Sequence, residues 1–170
     1  MNEQSHPSHD DYDEEGLATV RELIGDVRIA MLTSVDHTGG LVSRPMAVQE
    51  AEFDGDLWFF SEADSPKVAN VTADPSVNVA LVGDSSWVSL KGEASVVRDV
   101  DKKTELWNSF VESWFTEGPE SDAIVLLRVH AESAEYWDSP GTIGTGIAML
   151  KTKVTGGTPD AGENKTVQLD

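Results

Sequence analysis

The 170-residue sequence contains no cysteine, few basic residues and no long apolar run. The absence of cysteine excludes disulfides, thiolate metal sites and cysteine nucleophiles. No apolar run approaches the roughly 20 residues that a membrane-spanning helix needs. Residues 1–16 also lack the basic and apolar segments of a secretion signal, so we expect a cytoplasmic protein.

Positive charge is scarce in this chain. Twelve Lys and Arg stand against 31 Asp and Glu, which gives a formal net charge of −19 at pH 7. Nucleic acids and anionic membranes are bound through clusters of Lys and Arg that neutralise their phosphate groups. The charge balance therefore predicts no nucleic-acid partner and no membrane partner.

The chain has the length of one domain with polar tails. Residues 1–10 predict a flexible acidic N-terminal tail, and residues 156–170 predict a flexible C-terminal tail, because these stretches are polar and rich in Gly, Pro or charge. A short strand over 165–169 could dock on a partner subunit. We expect one folded domain over residues 11–155.

Alternation of apolar and polar residues between turn residues predicts six strands. They cover residues 28–35, 41–53, 54–61, 76–83, 86–99 and 123–138. Apolar steps of three and four predict one helix over 11–27 and another over 99–116, and a short helix is predicted over 66–73. In the helix over 99–116, Leu106, Phe110 and Trp114 share a face that we expect to pack on the outside of the barrel or to close one of its ends. Six mostly hairpin-linked strands predict a mainly β fold, an antiparallel barrel with peripheral helices.

Lys67 is the only cation within residues 45–90, which contain eight carboxylates. It follows Ser65, a favoured N-cap residue, and Pro66, a favoured first residue of a helix. The free N–H groups of the helix start and the ammonium would then point at one spot that suits a phosphate, to which Ser61 could add a hydroxyl. From these residues alone, a capped surface helix with a solvated lysine is the alternative interpretation.

Five short segments occur in an order and spacing that resemble a known family. They are SRPM at 43–46, LWFFSEADSPK at 57–67, DPSVNVAL at 74–81, WVSLKGEA at 87–94 and AEYWD at 134–138. Together they resemble the FMN-binding split barrels of the pyridoxamine 5′-phosphate oxidase superfamily, and most of all the branch called general stress protein 26. The resemblance covers residues 14 to 155. It implies a six-stranded antiparallel split β-barrel that binds FMN in a groove between the two subunits of a homodimer.

The resemblance implies roles for residues of two strands. Arg44, Pro45 and Met46 stand on the strand that contacts the flavin, with the arginine near the phosphate or the polar edge of the ring. Phe60 and Ser61 occupy an aromatic and hydroxyl pair whose hydroxyl meets the phosphate. Without the resemblance, an arginine on a strand is ordinarily a solvated charge, and a phenylalanine there is ordinarily a core residue.

Four further residues receive roles from the same resemblance. Ser65 and Lys67 match the serine and lysine with which the family binds the phosphate. Trp87 falls where the oxidases place a glutamine that reaches the flavin from the second subunit. Trp137 matches the tryptophan that closes over the ring. Packing residues are the alternative interpretation of both tryptophans.

Two features depart from the vitamin oxidases of the superfamily. After Trp137, residues 138–150 contain neither the arginine nor the histidine with which those oxidases hold the phosphate of their substrate. Gln49 stands where they carry a lysine. The sequence therefore predicts the fold and the flavin site but not the oxidation of pyridoxine phosphate.

These residues lead to the hypothesis of an FMN-binding homodimer that exchanges electrons with an unidentified small molecule. Flavin supplies the redox chemistry, so no catalytic acid, base or metal cluster need be visible in the sequence. Two alternatives stay open. One is a non-catalytic stress protein that binds or sequesters flavin, and the other is a reductase of the deazaflavin F420, whose polyglutamate tail would favour a more basic surface.

Overall fold

The computed structural model describes residues 13–138 and 163–169. The predicted tail 1–10, the segment 139–150 and most of the predicted C-terminal tail lie outside the described residues. In the described part of the chain, no helix is both long enough and apolar enough to cross a membrane. In chain order the described elements are α1 (Glu14–Ile24), β1 (Ile29–Val35), β2 (Leu41–Ala47), β3 (Asp56–Glu62), α2 (Pro66–Ala73), β4 (Ser76–Val82), β5 (Ser86–Val97), α3 (Val100–Leu106), α4 (Ser109–Trp114), β6 (Ile124–Asp138) and β7 (Glu163–Gln168).

All the strands belong to one antiparallel sheet in the order β2-β1-β4-β5-β6-β3, with β7 also paired to β6. The long strand β6 pairs with β5 along one edge. Its other edge is shared by β3, at residues 124–130, and by β7, at residues 133–138. The end strands β2 and β3 do not form a ladder in the described sheet, so the barrel stays open. The predicted mainly β, antiparallel split barrel is confirmed.

The core lies on the inner face of this curled sheet. Burial alternates along β4 and β5, as the alternating sequence requires of a sheet with one covered face. Helix α1 covers one end of the core with Leu17, Val20 and Ile24, which its three- and four-residue spacing places on one side. Each fully buried aliphatic side chain of this kind stabilises the fold by about 1.5–3 kcal/mol.

A β-bulge between β5 and β6 requires a glycine at position 92. Gly92 pairs with Ala131 and the residue before it pairs with Ser133, so Glu132 is an extra residue of β6 at this point. A Cβ atom on Gly92 would overlap the backbone carbonyl of His130. The two backbones can approach this closely only because position 92 has no side chain.

The C-terminal strand β7 docks on its own chain. It pairs with β6, where Val167 stands opposite Ala134, and Val167 is buried against α1. A Cβ atom on Gly16 of α1 would overlap the side chain of Val167. The strand expected over 165–169 is present as Glu163–Gln168 and pairs with β6 of the same chain.

The single helix predicted over 99–116 is wrong, because the chain forms two short helices there. Trp107 and Asn108 leave the helical conformation, and the Asn108 carboxamide oxygen accepts hydrogen bonds from the N–H groups of Phe110 and Val111, both at 3.0 Å. Asparagine is a strong N-cap, so it ends α3 and begins α4. As a result the predicted common face is split: Leu106 is buried, whereas Phe110 is 52% exposed and Trp114 is 72% exposed.

Candidate functional site

A cavity of about 430 Å³ lies between β2, β3, the start of α2 and helix α4. Most of its lining is apolar, and Lys67 is the one cation among the described residues that line it. The lining includes five of the nine predicted site residues, which are Pro45, Met46, Phe60, Ser61 and Lys67. Arg44, Ser65, Trp87 and Trp137 do not line it within this chain.

Lys67, which lines the cavity, lies close enough to Arg44, which does not, for their charges to interact. Burial lowers the pKa of Lys67, the nearby charge of Arg44 lowers it further, and Glu62 opposes the change. Burial also lowers the pKa of Arg44. The Arg44 guanidinium donates to the Ser34 hydroxyl at 2.8 Å, and Asn70 of α2 donates to the same hydroxyl at 3.5 Å. An anion bound here would relieve the repulsion between the two cations.

Ser65 occupies the N-cap position of α2, but its hydroxyl does not cap the helix. Its Oγ lies instead 3.0 Å from Oγ of Ser61, and the Ser61 hydroxyl also lies 3.1 Å from the carbonyl oxygen of Glu62. Both serines are buried. The predicted phosphate-binding serines therefore form a hydroxyl pair beside Lys67.

Trp87 and Trp137 lie directly opposite each other on β5 and β6. With Ile29, Met31 and Val82 they form an exposed apolar surface on the outward side of the sheet, which we call the outer sheet face. In a single chain this tryptophan pair stands apart from the cavity. Their contact with flavin from a second subunit therefore stays a prediction.

The outer sheet face continues into the rim of the cavity. Ile29 of β1 pairs with Ala47 of β2, and Pro45 lies on the same side of β2 two residues earlier. All three residues also line the cavity. Any molecule that covers this part of the outer sheet face would therefore also cover the cavity.

Helix α4 and the residue that follows it supply a wall of the cavity that was not predicted from the sequence. Phe110, Val111, Trp114 and Phe115 all line the cavity. Phe115 packs against Phe60, with ring centroids 6.2 Å apart. The Asn-Ser pair after Trp107 is typical of a helix start and could have indicated the separate helix α4. The apolar spacing across this pair favoured one continuous helix instead.

Gln49 is a buried polar residue of the cavity. Its side-chain nitrogen donates to the carbonyl oxygen of Ala47 at 3.2 Å, and its side-chain oxygen accepts from Asn108 at 3.4 Å. Asn108 thus links this amide to the start of α4. In the sequence, Gln49 stands out only because the vitamin oxidases carry a lysine at this position.

The comparisons with known proteins agree with this architecture. A family model described as pyridoxamine 5′-phosphate oxidase like matches residues 15–160. Among curated proteins, protein bli-3 of Neurospora crassa is 30% identical over 144 residues, covering 78% of this chain and 69% of that protein.

Two solved structures show the same fold. A candidate general stress protein 26 from Jannaschia sp. CCS1 has a TM-score of 0.76 at 24% identity, over 91% of this chain and 99% of that one. The general stress FMN/FAD binding protein of Xanthomonas citri has a TM-score of 0.64 at 26% identity, over 75% of this chain and 92% of that one. The family match spans most of the sequence and the predicted resemblance to the superfamily is confirmed, so the chain belongs to the pyridoxamine 5′-phosphate oxidase-like family.

Proposed function

We propose that this chain binds FMN in the cavity and works as a flavin-dependent oxidoreductase, as a homodimer in the cytoplasm. The observation that carries the proposal is that Lys67 and the Ser61 hydroxyl, with Arg44 and Ser65 behind them, lie together in a mostly apolar cavity whose other polar lining residues are Gln49 and Glu62. The name of the Xanthomonas citri relative, an FMN/FAD binding protein, supports a flavin as the ligand.

The part of the cavity around Lys67, which we call the cationic end, fits a phosphate monoester. Hydrogen bonds from charged donors to phosphate oxygens are shorter and stronger than neutral ones, and Lys67 supplies such a donor from the lining while the charge of Arg44 lies behind it. The Ser61 hydroxyl lies in the same lining. A phosphate there would also favour the charged form of Lys67, which burial and Arg44 now disfavour. The long polyglutamate tail of F420 has no comparable set of cations in the described cavity, so FMN is the better match.

The apolar walls fit the ring end of the same ligand. Met46 and Phe60 present apolar surface beside the cationic end, and such walls exclude water from the bound molecule. Flavin, when bound, supplies the electron or hydride transfer from its ring. The residues of the chain bind the phosphate, orient the ring and keep the cavity dry.

The outer sheet face supports the proposed dimer. Exposed apolar side chains that share one surface mark an interface more often than a free surface. Because Ile29 and Pro45 belong both to this side of the sheet and to the cavity rim, a second subunit on it would cover the flavin. The same packing would bring the tryptophan pair of one subunit towards the cavity of the other.

Purification without added cofactor, followed by denaturation, tests the ligand. We expect the released molecule to have the mass and absorption spectrum of FMN. Release of F420 would overturn the choice of flavin, and a protein that releases nothing and takes up no added FMN would overturn the site. Anaerobic reduction with nicotinamide donors then tests the activity, since a flavin that no donor reduces favours a sequestering protein.

Replacing Val82 with glutamate is expected to break the dimer and to weaken FMN binding at the same time. Val82 is 60% exposed on the outer sheet face, where a carboxylate would be buried without a partner in the dimer. Val100→Glu is the matched control, because Val100 is also an exposed valine but lies at the start of α3. Light scattering gives the mass of each variant. A monomeric wild type that still holds FMN tightly would contradict the dimer.

Affinity for FMN is expected to fall at alkaline pH, and the fall should begin at a lower pH than it would for a lysine with an ordinary pKa. The pKa of Lys67 lies below its usual value of 10.5, so the free protein loses the ammonium at a lower pH, whereas the bound phosphate favours the ammonium. Between these two pKa values, binding takes up a proton and affinity falls by up to about tenfold per pH unit. Riboflavin shares the ring but has no phosphate, so a parallel fall of riboflavin affinity would contradict this assignment.

A further inference from the structure

Glu62 adds a carboxylate to the lining of the cavity. It lines the same cavity as Ser61 and Lys67, and among the described residues it is the one acidic residue of that lining. The residue is exposed, and within the described part of the chain its carboxylate takes part in no hydrogen bond and no ion pair. The fold therefore does not depend on this charge, whose effect falls on the molecule that binds in the cavity.

The backbone holds Glu62 beside the serine hydroxyl pair. Glu62 is the last residue of β3 and pairs with Ile124 of β6. Its carbonyl oxygen accepts a hydrogen bond from the Ser65 N–H at 3.2 Å and another from the Ser61 hydroxyl at 3.1 Å. The side chain of Glu62 therefore begins at a fixed point next to the residues that we propose for the phosphate.

Three charged side chains act on this part of the cavity. Burial and the charge of Arg44 lower the pKa of Lys67, and Glu62 is the group that opposes this change. The lining residues contributed by α4 and by the position after it are all apolar, so they add no further charge. Two positive charges and one negative charge leave a single positive charge for a ligand to balance.

A phosphate monoester carries more negative charge than this balance requires. Its second pKa is about 6, so above about pH 7 it holds close to two negative charges. Coulomb energy is proportional to the product of the interacting charges. A carboxylate in the lining therefore repels a doubly charged phosphate about twice as strongly as a singly charged one.

We infer that Glu62 is a specificity-determining residue, which makes the cavity discriminate among flavins by the charge at their phosphate end. Without Glu62 the two cations would favour a doubly charged phosphate, and with it the preference moves towards a single negative charge. The favoured ligand class is a flavin ester with one negative charge, such as a phosphodiester or singly protonated FMN. The inference rests on the proposed function, in which Lys67 binds the phosphate.

Three ligands with the same ring test this discrimination. Riboflavin is neutral, riboflavin 5′-sulfate has one negative charge, and FMN has nearly two at about pH 8. In calorimetric titrations of the flavin-free protein, Glu62→Gln is expected to bind FMN about tenfold and the sulfate about threefold more tightly than the wild type, with riboflavin unchanged. At about 1 M salt the gain for FMN should fall below about twofold, because the Debye length shrinks to about 3 Å.

Two control variants separate the charge of Glu62 from its other properties. Glu62→Asp keeps the charge, so it should bind each ligand within about twofold of the wild type. Glu93→Gln makes the same change at an exposed strand residue outside the lining and should alter none of the affinities. Gains that do not increase with the charge of the ligand would overturn this inference alone. A wild type that binds none of the three flavins would overturn the proposed function and the inference with it.

Discussion

Lys67→Ala is expected to weaken FMN binding by about 1.5–3 kcal/mol, or roughly 10- to 150-fold. The substitution removes one charged hydrogen bond to the phosphate from the cationic end of the cavity. It also removes the repulsion between Lys67 and Arg44, so the folded chain should be no less stable than the wild type. Calorimetric titration of the flavin-free protein with FMN measures the loss.

Two controls make this result specific to the phosphate. Riboflavin lacks the phosphate, so its affinity should be the same for the wild type and for Lys67→Ala. Lys165→Ala removes the same charge from β7, where Lys165 forms an ion pair with Asp13 at 3.8 Å, and it should bind FMN like the wild type. Unchanged FMN affinity in Lys67→Ala, or an equal loss for riboflavin, would refute the placement of the phosphate.

Gly92→Ala is expected to lower the free energy of unfolding by about 3 kcal/mol. The new Cβ would overlap the backbone of β6 at the bulge, and neither strand can move aside without breaking the ladder that holds the sheet together. A loss of this size is a large fraction of the stability of a single domain. Urea denaturation followed by circular dichroism measures it.

Gly25→Ala is the matched control for the bulge. Gly25 is exposed at the end of α1 in a right-handed helical conformation, and an added Cβ would find its nearest neighbour at 3.4 Å. The alanine fits there and restricts the unfolded chain, so stability should stay the same or rise slightly. Equal urea midpoints for Gly92→Ala and the wild type would show that the bulge tolerates a side chain.

The strands were predictable because apolar and polar residues alternate along them, which indicates the side of each strand that faces the core. Burial alternates along β4, whose sequence begins with alternating polar and apolar residues, and the strand has the predicted start and nearly the predicted end. The strand predicted over 41–53 ends instead at Ala47. Its partner β1 begins at Ile29, opposite Ala47, so the later residues have no ladder to join. The sequence of one strand does not indicate at which residue the neighbouring strand begins or ends.

The helical region shows a different limit of local patterns. Leu106, Phe110 and Trp114 recur at four-residue steps, which is the spacing of one packed helix face. The side chain of Asn108 competes with that spacing by capping a new helix, and the periodicity cannot show which of the two is more stable. The aromatic wall of the cavity was missed for this reason.

Some site residues could be predicted from local sequence, and others depend on how distant elements pack. Ser65, Pro66 and Lys67 are adjacent in sequence, so their joint use at a helix start could be predicted from local chemistry. The approach of Arg44 to Lys67 depends on how β2 and α2 pack, and only the family resemblance connected them beforehand. Trp87 and Trp137 are paired across β5 and β6 because of the register of these two strands, which local sequence does not predict either.

The pairing of β3 with β6 sets the order in which this chain can fold. Asp56 and His130 come together although they are 74 residues apart in sequence. Closing such a long loop is entropically costly, so folding times are expected in the slow range of non-local β proteins, milliseconds to seconds. During synthesis, the buried side chains of Leu57 and Phe59 must wait for β6 to leave the ribosome. In that interval the nascent chain is a natural client for chaperones.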